Sequence, residues 1–326
     1  MNLLYAFLAL VPAIFARTHV SEHQYVPMPR YQLGIYVLLA DHTEEGFENN
    51  ATKWTPALYP WQQEAANVLY FTFIIPDEEM AVPMAYQKLA KTRGTNEEGA
   101  VPADTVILFA IGGYLNSLHP NPWPWLTTQE AAEKMAEKVA QWPDLYGCDG
   151  IDLDLEEGAG NPPEAGPNMI HFVRKLKELN PKMYVNQPVY GFPNVPAEND
   201  VVNESWDKEG NPTGMAQSIG IMAYSGTSSL NYVGNYANVK KPWENYPISV
   251  PVPMESILVG CKGKSTSTTI TKLAHESVSR GLFGVMVWYS SVVNGFQYAT
   301  AYDANTSQDA IDGYIQARKI LDAAMT

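Results

Sequence analysis

The residues of this chain best placed to do chemistry are three carboxylates set two residues apart in an otherwise aliphatic run. They are Asp152, Asp154 and Glu156 in Asp149-Gly150-Ile151-Asp152-Leu153-Asp154-Leu155-Glu156. On an extended strand successive side chains alternate faces, so the three acids share one face while Ile151, Leu153 and Leu155 share the other. Acids stacked on one face repel one another and lose hydration, which raises the proton affinity of at least one of them toward neutral pH. A carboxyl that keeps its proton near neutrality is a general acid. Two other readings share the pattern. A solvated edge strand also alternates apolar and acidic residues, yet needs neither Gly150 nor such uniform aliphatics. A calcium loop also begins Asp-x-Asp, but its sixth position calls for glycine, and Glu157 stands there with Gly158 one residue late.

An acidic strand needs a scaffold that buries it on its other face. Runs of apolar or β-branched residues predict strands over 32–39, 68–75, 106–111, 150–155, 183–187, 219–223, 257–260 and 284–288. Helical patterns fall between them. The segment 128–141 opens with the cap Thr128 and carries Ala132, Met135, Val139 and Trp142. In 168–179 Ile170, Phe172, Val173 and Leu176 form a stripe. Further helices are expected over 268–280, stopped by Gly281, and over 307–323. Alternating strands and helices build βα units, and eight of them close an α/β fold of the (β/α)8, or TIM-barrel, type as a single domain. Active sites of such barrels lie at the carboxyl ends of the strands. Glu156 is therefore expected at the rim, with Asp154 below it, Asp152 deepest, and Asp149 in a structural role at the start of the strand.

The run Asp-Gly-Ile-Asp-Leu-Asp-Leu-Glu resembles the D-G-x-D-x-D-x-E signature of glycoside hydrolase family 18, the chitinases and their relatives. Other marks of that family follow in order along nearly the whole chain. Ala110-Ile111-Gly112-Gly113 resembles S-x-G-G with Ala110 for the serine, and Met222-Ala223-Tyr224-Ser225 resembles M-x-Y-D with Ser225 for the aspartate. Gly284-Val285-Met286-Val287-Trp288 resembles the eighth strand and its sugar-stacking tryptophan. The resemblance implies a retaining, substrate-assisted hydrolysis of N-acetylglucosamine polymers without a metal or cofactor. In that scheme Glu156 is the acid and then the base, Asp154 orients the acetamide, Asp152 shares a proton with Asp154, and Tyr224 donates to the acetamide oxygen. Trp288 stacks beneath the sugar, and Met222, Gly113 and Ser225 fall at substrate-binding positions. Ser225 removes an aspartate that helps to hold the strained sugar, and Ala110 removes a hydroxyl that supports Asp152.

Other candidates rest on weaker ground. Phe73 matches a family aromatic, although a Phe ending an apolar strand is equally core. Trp125 sits with Trp123 in a loop after the third strand, where it either stacks on sugars or packs that loop. Gln187, taken as the end of the fifth strand, is a candidate sugar ligand. The interval between Tyr224 and Trp288 leaves no room for the α+β insertion of deep-cleft members, so a shallow groove and internal cleavage are expected. Chitin or chitooligosaccharide is the expected partner. An endo-β-N-acetylglucosaminidase acting on N-glycans and a chitin-binding lectin are the alternatives.

With 326 residues and a formal charge of −14, the chain would be repelled by nucleic acid and by anionic membrane. A monomer is expected. Residues 1–16 are apolar and read as a secretory signal peptide cleaved after Ala16, leaving a catalytic domain over 17–326 and a secreted protein. Sequons at Asn50, Asn203 and Asn305 agree with export. The two cysteines, Cys148 and Cys261, fall at opposite ends of the barrel, too far apart to pair.

Overall fold

The computed structural model describes residues 22–38, 57–117, 123–156, 163–237, 246–288 and 306–325. The expected leader over 1–16 and the asparagines of the sequons at Asn50 and Asn305 lie outside them. Eight parallel strands close in sequence order: β1 (Gln32–Leu38), β2 (Val68–Ile74), β3 (Val106–Gly112), β4 (Gly150–Asp154), β5 (Tyr184–Tyr190), β6 (Ser218–Met222), β7 (Ile257–Lys262) and β8 (Gly284–Trp288), with β8 returning to β1. The helices are α1 (Pro60–Ala65), α2 (Met84–Lys91), α3 (Gln129–Val139), α4 (Trp142–Tyr146), α5 (Ala165–Leu179), α6 (Pro196–Ser205), α7 (Ser229–Ala237), α8 (Ser267–Arg280) and α9 (Gln308–Ala323). Between Tyr224 and Trp288 the described residues hold only α7, a short 3-10 turn, β7, α8 and β8 itself.

Alternation along each strand sorts the core into two. Leu33, Ile35, Phe71, Ile107, Phe109, Ile151 and Leu153 point outward into one large cluster under the helices. Tyr36, Tyr70, Leu108, Ala110, Leu258 and Met286 point inward and fill the barrel. Aliphatic side chains on both faces are what parallel strands covered by helices require. In β4 the same parity sends Ile151 and Leu153 out and Asp152 and Asp154 in, where both are buried.

Helix starts and stops follow local chemistry. Thr128, Thr266 and Ser307 cap α3, α8 and α9, each accepting from a main-chain N–H three residues on, and such caps contribute about 1 kcal/mol each. Gly281 closes α8 at a φ of +70°. Trp142, expected on the α3 stripe, instead begins the separate α4, because its successor Pro143 lacks the N–H that a continuing helix uses.

The amino-terminal segment from residue 22 crosses the bottom of the barrel and is fastened to Asp149. That carboxylate accepts from His23 Nε2 at 3.0 Å, Val26 N at 3.1 Å and Ile107 N at 2.9 Å, and pairs with Arg93. The structural role expected of Asp149 is met there. Cys148 and Cys261 are buried free thiols.

Candidate functional site

Asp152 sits at the floor of the site, fully buried. Its strand neighbours in register are Ala110 on β3 and Asn186 on β5. Ala110 offers no hydrogen bond, but Asn186 Nδ2 donates to Oδ1 of Asp152 at 2.6 Å and Tyr36 Oη donates to Oδ2 at 3.1 Å. Ser218 in turn donates to Asn186 Oδ1 and orients its amide. The loose hold on Asp152 expected from Ala110 is thus not found. Burial pushes the Asp152 carboxyl up to about 7, against the pull of the Asn186 and Tyr36 donors.

Asp154 lies one step higher, 4% exposed, with its Oδ1 buried and without a hydrogen-bond partner among the described residues. Burial and then the charges of Glu156, Asp152 and Glu198 push its carboxyl well above the usual range. Ionising all of these acids together would place like charges side by side in a poorly solvated space, so protons are retained.

Glu156 follows the end of β4 and is partly exposed. Its main-chain N–H donates to Ser117 Oγ at 3.0 Å, and Ser117 donates to Gly113 O at 3.1 Å. Its Oε2 accepts from Tyr190 Oη at 2.7 Å. Burial raises its carboxyl above the usual value, while Tyr190 and the Tyr114 amide pull the other way. Tyr224 follows β6 beside the acids, and burial with the charges of Asp154 and Glu156 keeps its phenol protonated.

Trp288 ends β8, half-buried, with its ring 5.3 Å from Phe73 and 5.6 Å from Tyr36. A one-residue slip between β2 and β3 at Thr72/Ile74 turns Phe73 inward to join the barrel interior. Phe73 is only 6% exposed, so it braces the indole from the side. Gly113, at a φ of +82°, lies flat against that Phe ring: a Cβ there would meet it at 2.6 Å. Met222 closes the inward end of β6.

Three candidates are placed elsewhere. Gln187 is mid-strand, since β5 runs on to Tyr190; it faces outward, 1% exposed, with Nε2 donating to Leu153 O at 2.9 Å. Trp125 is 3% exposed, packed on Phe172 at 4.8 Å with its N–H on Pro76 O, so the loop-packing reading holds and no sugar platform exists there. Ser225 is exposed at the turn after β6, its carbonyl accepting from Ser228 N. Tyr36, Asn186 and Ser117 are site residues the sequence reading missed. For Tyr36 and Asn186 the available signal was parity, each lying on the inward set of its strand.

No protein-family profile and no curated protein sequence matches the chain. Solved structures do. A chitinase from Rhizomucor miehei superposes with a TM-score of 0.56 at 13% identity, covering 87% of this chain and 99% of that one. A glycoside hydrolase family 18 N-acetylglucosaminidase from Paenibacillus barengoltzii gives 0.52 at 12%, covering 88% and 99%. A chitinase-like agglutinin from Robinia pseudoacacia gives 0.54 at 13%, covering 87% and 98%. What they share with this chain is the fold. It is the barrel of chitinases and of chitinase-like proteins, enzymes and an agglutinin among them, so the fold alone does not decide the chemistry.

Proposed function

We propose that this protein is a secreted glycoside hydrolase of the chitinase type, cleaving β-1,4 bonds inside N-acetylglucosamine polymers with retention of configuration. The observation that carries the reading is Asp154: a buried carboxyl between two others, with one oxygen unpartnered among the described residues. An acceptor so placed suits an acetamide N–H, and that contact is what substrate-assisted hydrolysis asks of this position.

In the first half of the reaction Glu156 gives its proton to the glycosidic oxygen as the bond from that oxygen to the anomeric carbon breaks. The acetamide carbonyl oxygen bonds to the same carbon, forming an oxazolinium ion. Asp154 holds the acetamide N–H and offsets the positive charge, Asp152 retains the shared proton, and Tyr224 donates to the acetamide oxygen. In the second half Glu156 takes a proton from water as the water oxygen bonds to the anomeric carbon and the oxazolinium opens. Two displacements at one carbon restore the starting configuration.

The test is hydrolysis of a fluorogenic chitotrioside by the parent and by Glu156→Gln. Turnover by the parent, at least ~100-fold slower in the variant, with the β-anomer formed first by proton NMR, supports the reading. Equal rates in the two proteins would end it. The exposed Ser225 in place of an aspartate favours a second reading, a chitin-binding lectin. Tight oligosaccharide binding by both proteins without turnover is the outcome that selects it. Turnover of N-glycans, but not of chitooligosaccharides, would move the substrate to a glycan core.

A further inference from the structure

We propose that Tyr190 is a positioning residue that gives the two oxygens of Glu156 separate duties, holding Oε2 as a permanent acceptor and leaving Oε1 to carry the catalytic proton. The inference rests on the hydrolase reading and deepens it. Glu156 lies beyond the last paired residue of β4, so the strand ladder does not fix it. Two grips from neighbouring strands take the place of that ladder. On the β3 side, Ser117 accepts from the Glu156 main-chain N–H and is itself bonded to Gly113 O. On the β5 side, the Tyr190 phenol donates to Oε2 at 2.7 Å.

Tyr190 is in turn held at both main-chain polar groups. Its N–H points to Glu198 Oε2 at 3.4 Å, and its carbonyl accepts from Tyr236 Oη at 2.5 Å. Glu198 comes from α6 and is 1% exposed; Tyr236 comes from α7 and is fully buried. The phenol is thus aimed at Glu156 by two helices on the outside of the barrel.

A carboxylic acid accepts hydrogen bonds best at its carbonyl oxygen, so a phenol donating into Oε2 favours the proton on the other oxygen. The acid proton therefore sits on Oε1. It leaves Oε1 for the glycosidic oxygen as the glycosidic bond breaks, and Oε1 is refilled from the attacking water, while the Tyr190 bond to Oε2 persists through both steps. The phenol stabilises the anion left after the first transfer, as the pull of Tyr190 on the Glu156 carboxyl indicates. The other titrating neighbours are Asp154 from β4, Tyr224 from β6 and, behind Tyr190, Glu198 from α6.

The test is Tyr190→Phe in the full chain, read in two ways. The carboxyl of Glu156 is titrated by carbon-13 NMR of protein labelled at the glutamate side-chain carboxyl, with Glu156→Gln to assign the resonance. Hydrolysis of the fluorogenic chitotrioside is followed against pH. The midpoint of Glu156 and the alkaline limb of kcat/KM are both expected to rise by about one pH unit, with kcat falling ~10-fold and KM nearly constant. Tyr236→Phe, which frees only the main chain of Tyr190, is expected to move both in the same direction by less. An unmoved midpoint in Tyr190→Phe overturns the proposal even if the parent is an active hydrolase. A parent without turnover overturns the hydrolase reading, and the NMR titration then still decides whether Tyr190 governs Glu156.

Discussion

Asn186 donates to Asp152 across 2.6 Å from the strand on the opposite side of β4 from Ala110. Position 110 lost a hydroxyl relative to the pattern it resembles, and the support for the floor carboxyl comes from the other flank. Asn186→Ala should leave Asp152 with Tyr36 alone and Ser218 without its acceptor. The expected cost is about 2–3 kcal/mol in urea unfolding and a ~10–100-fold drop in turnover. Adding Ala110→Ser to that variant should restore part of the turnover. A double variant no faster than Asn186→Ala would mean that the two flanks are not interchangeable.

The pH profile should reflect burial of the acid. Glu156 must be protonated to act, and its carboxyl lies above the ordinary 4.5 chiefly because it is buried. The alkaline limb of kcat/KM should accordingly fall above pH 4.5. Burial is screened little by ions, so the limb should hardly move between low and high salt. A limb that follows ionic strength would point to remote charges as the cause.

Asp152 makes a linked prediction about stability. Its carboxyl stands at about 7 in the folded protein against 3.8 ordinarily. The folded state therefore binds the proton more tightly than the unfolded chain, and the stability this contributes is full below about 3.8 and lost as pH rises through about 7. Asp152→Asn, which has no proton to lose, should melt closer to the parent at pH 4 than at pH 8 and should be the more stable protein at the higher pH. Thermal unfolding across that range measures it, with Asp154 and Glu156 leaving a smaller slope of the same sign.

Gly113→Ala should be costly in spite of the small added group. The residue has a φ of +82°, and the new Cβ would meet the Phe73 ring at 2.6 Å. Backbone strain and overpacking together predict about 2–4 kcal/mol of destabilisation in urea. Phe73 would be pushed toward Trp288, so weaker oligosaccharide binding should accompany it, as calorimetry would register.

The acidic strand was legible because period two is a local property: Ile151 and Leu153 had to share one face and the acids the other. The closed barrel was legible for a similar reason, as doubly apolar strands between helical stripes have few other ways to be covered. What was hidden depended on register and length. Asn186 matters only because β5 sets it level with Asp152, which no single segment reveals. Gln187 was taken for a strand end when three more residues of strand follow, and that shift placed Tyr190 at the rim instead. Trp125 illustrates a third limit. Whether a loop tryptophan meets solvent is decided by distant partners, here Phe172 on α5 and Pro76 after β2.

The knot of bonds at Asp149 also fixes a direction in space. It fastens residues 22–26 to the end of the barrel where β4 begins, while Glu156 stands at the end where β4 finishes. A linker attached at Glu22 leaves from the face opposite Glu156. Anchored that way on a resin or a sensor chip, the molecule would present its acids to the bulk solution, with the thickness of the barrel between them and the support.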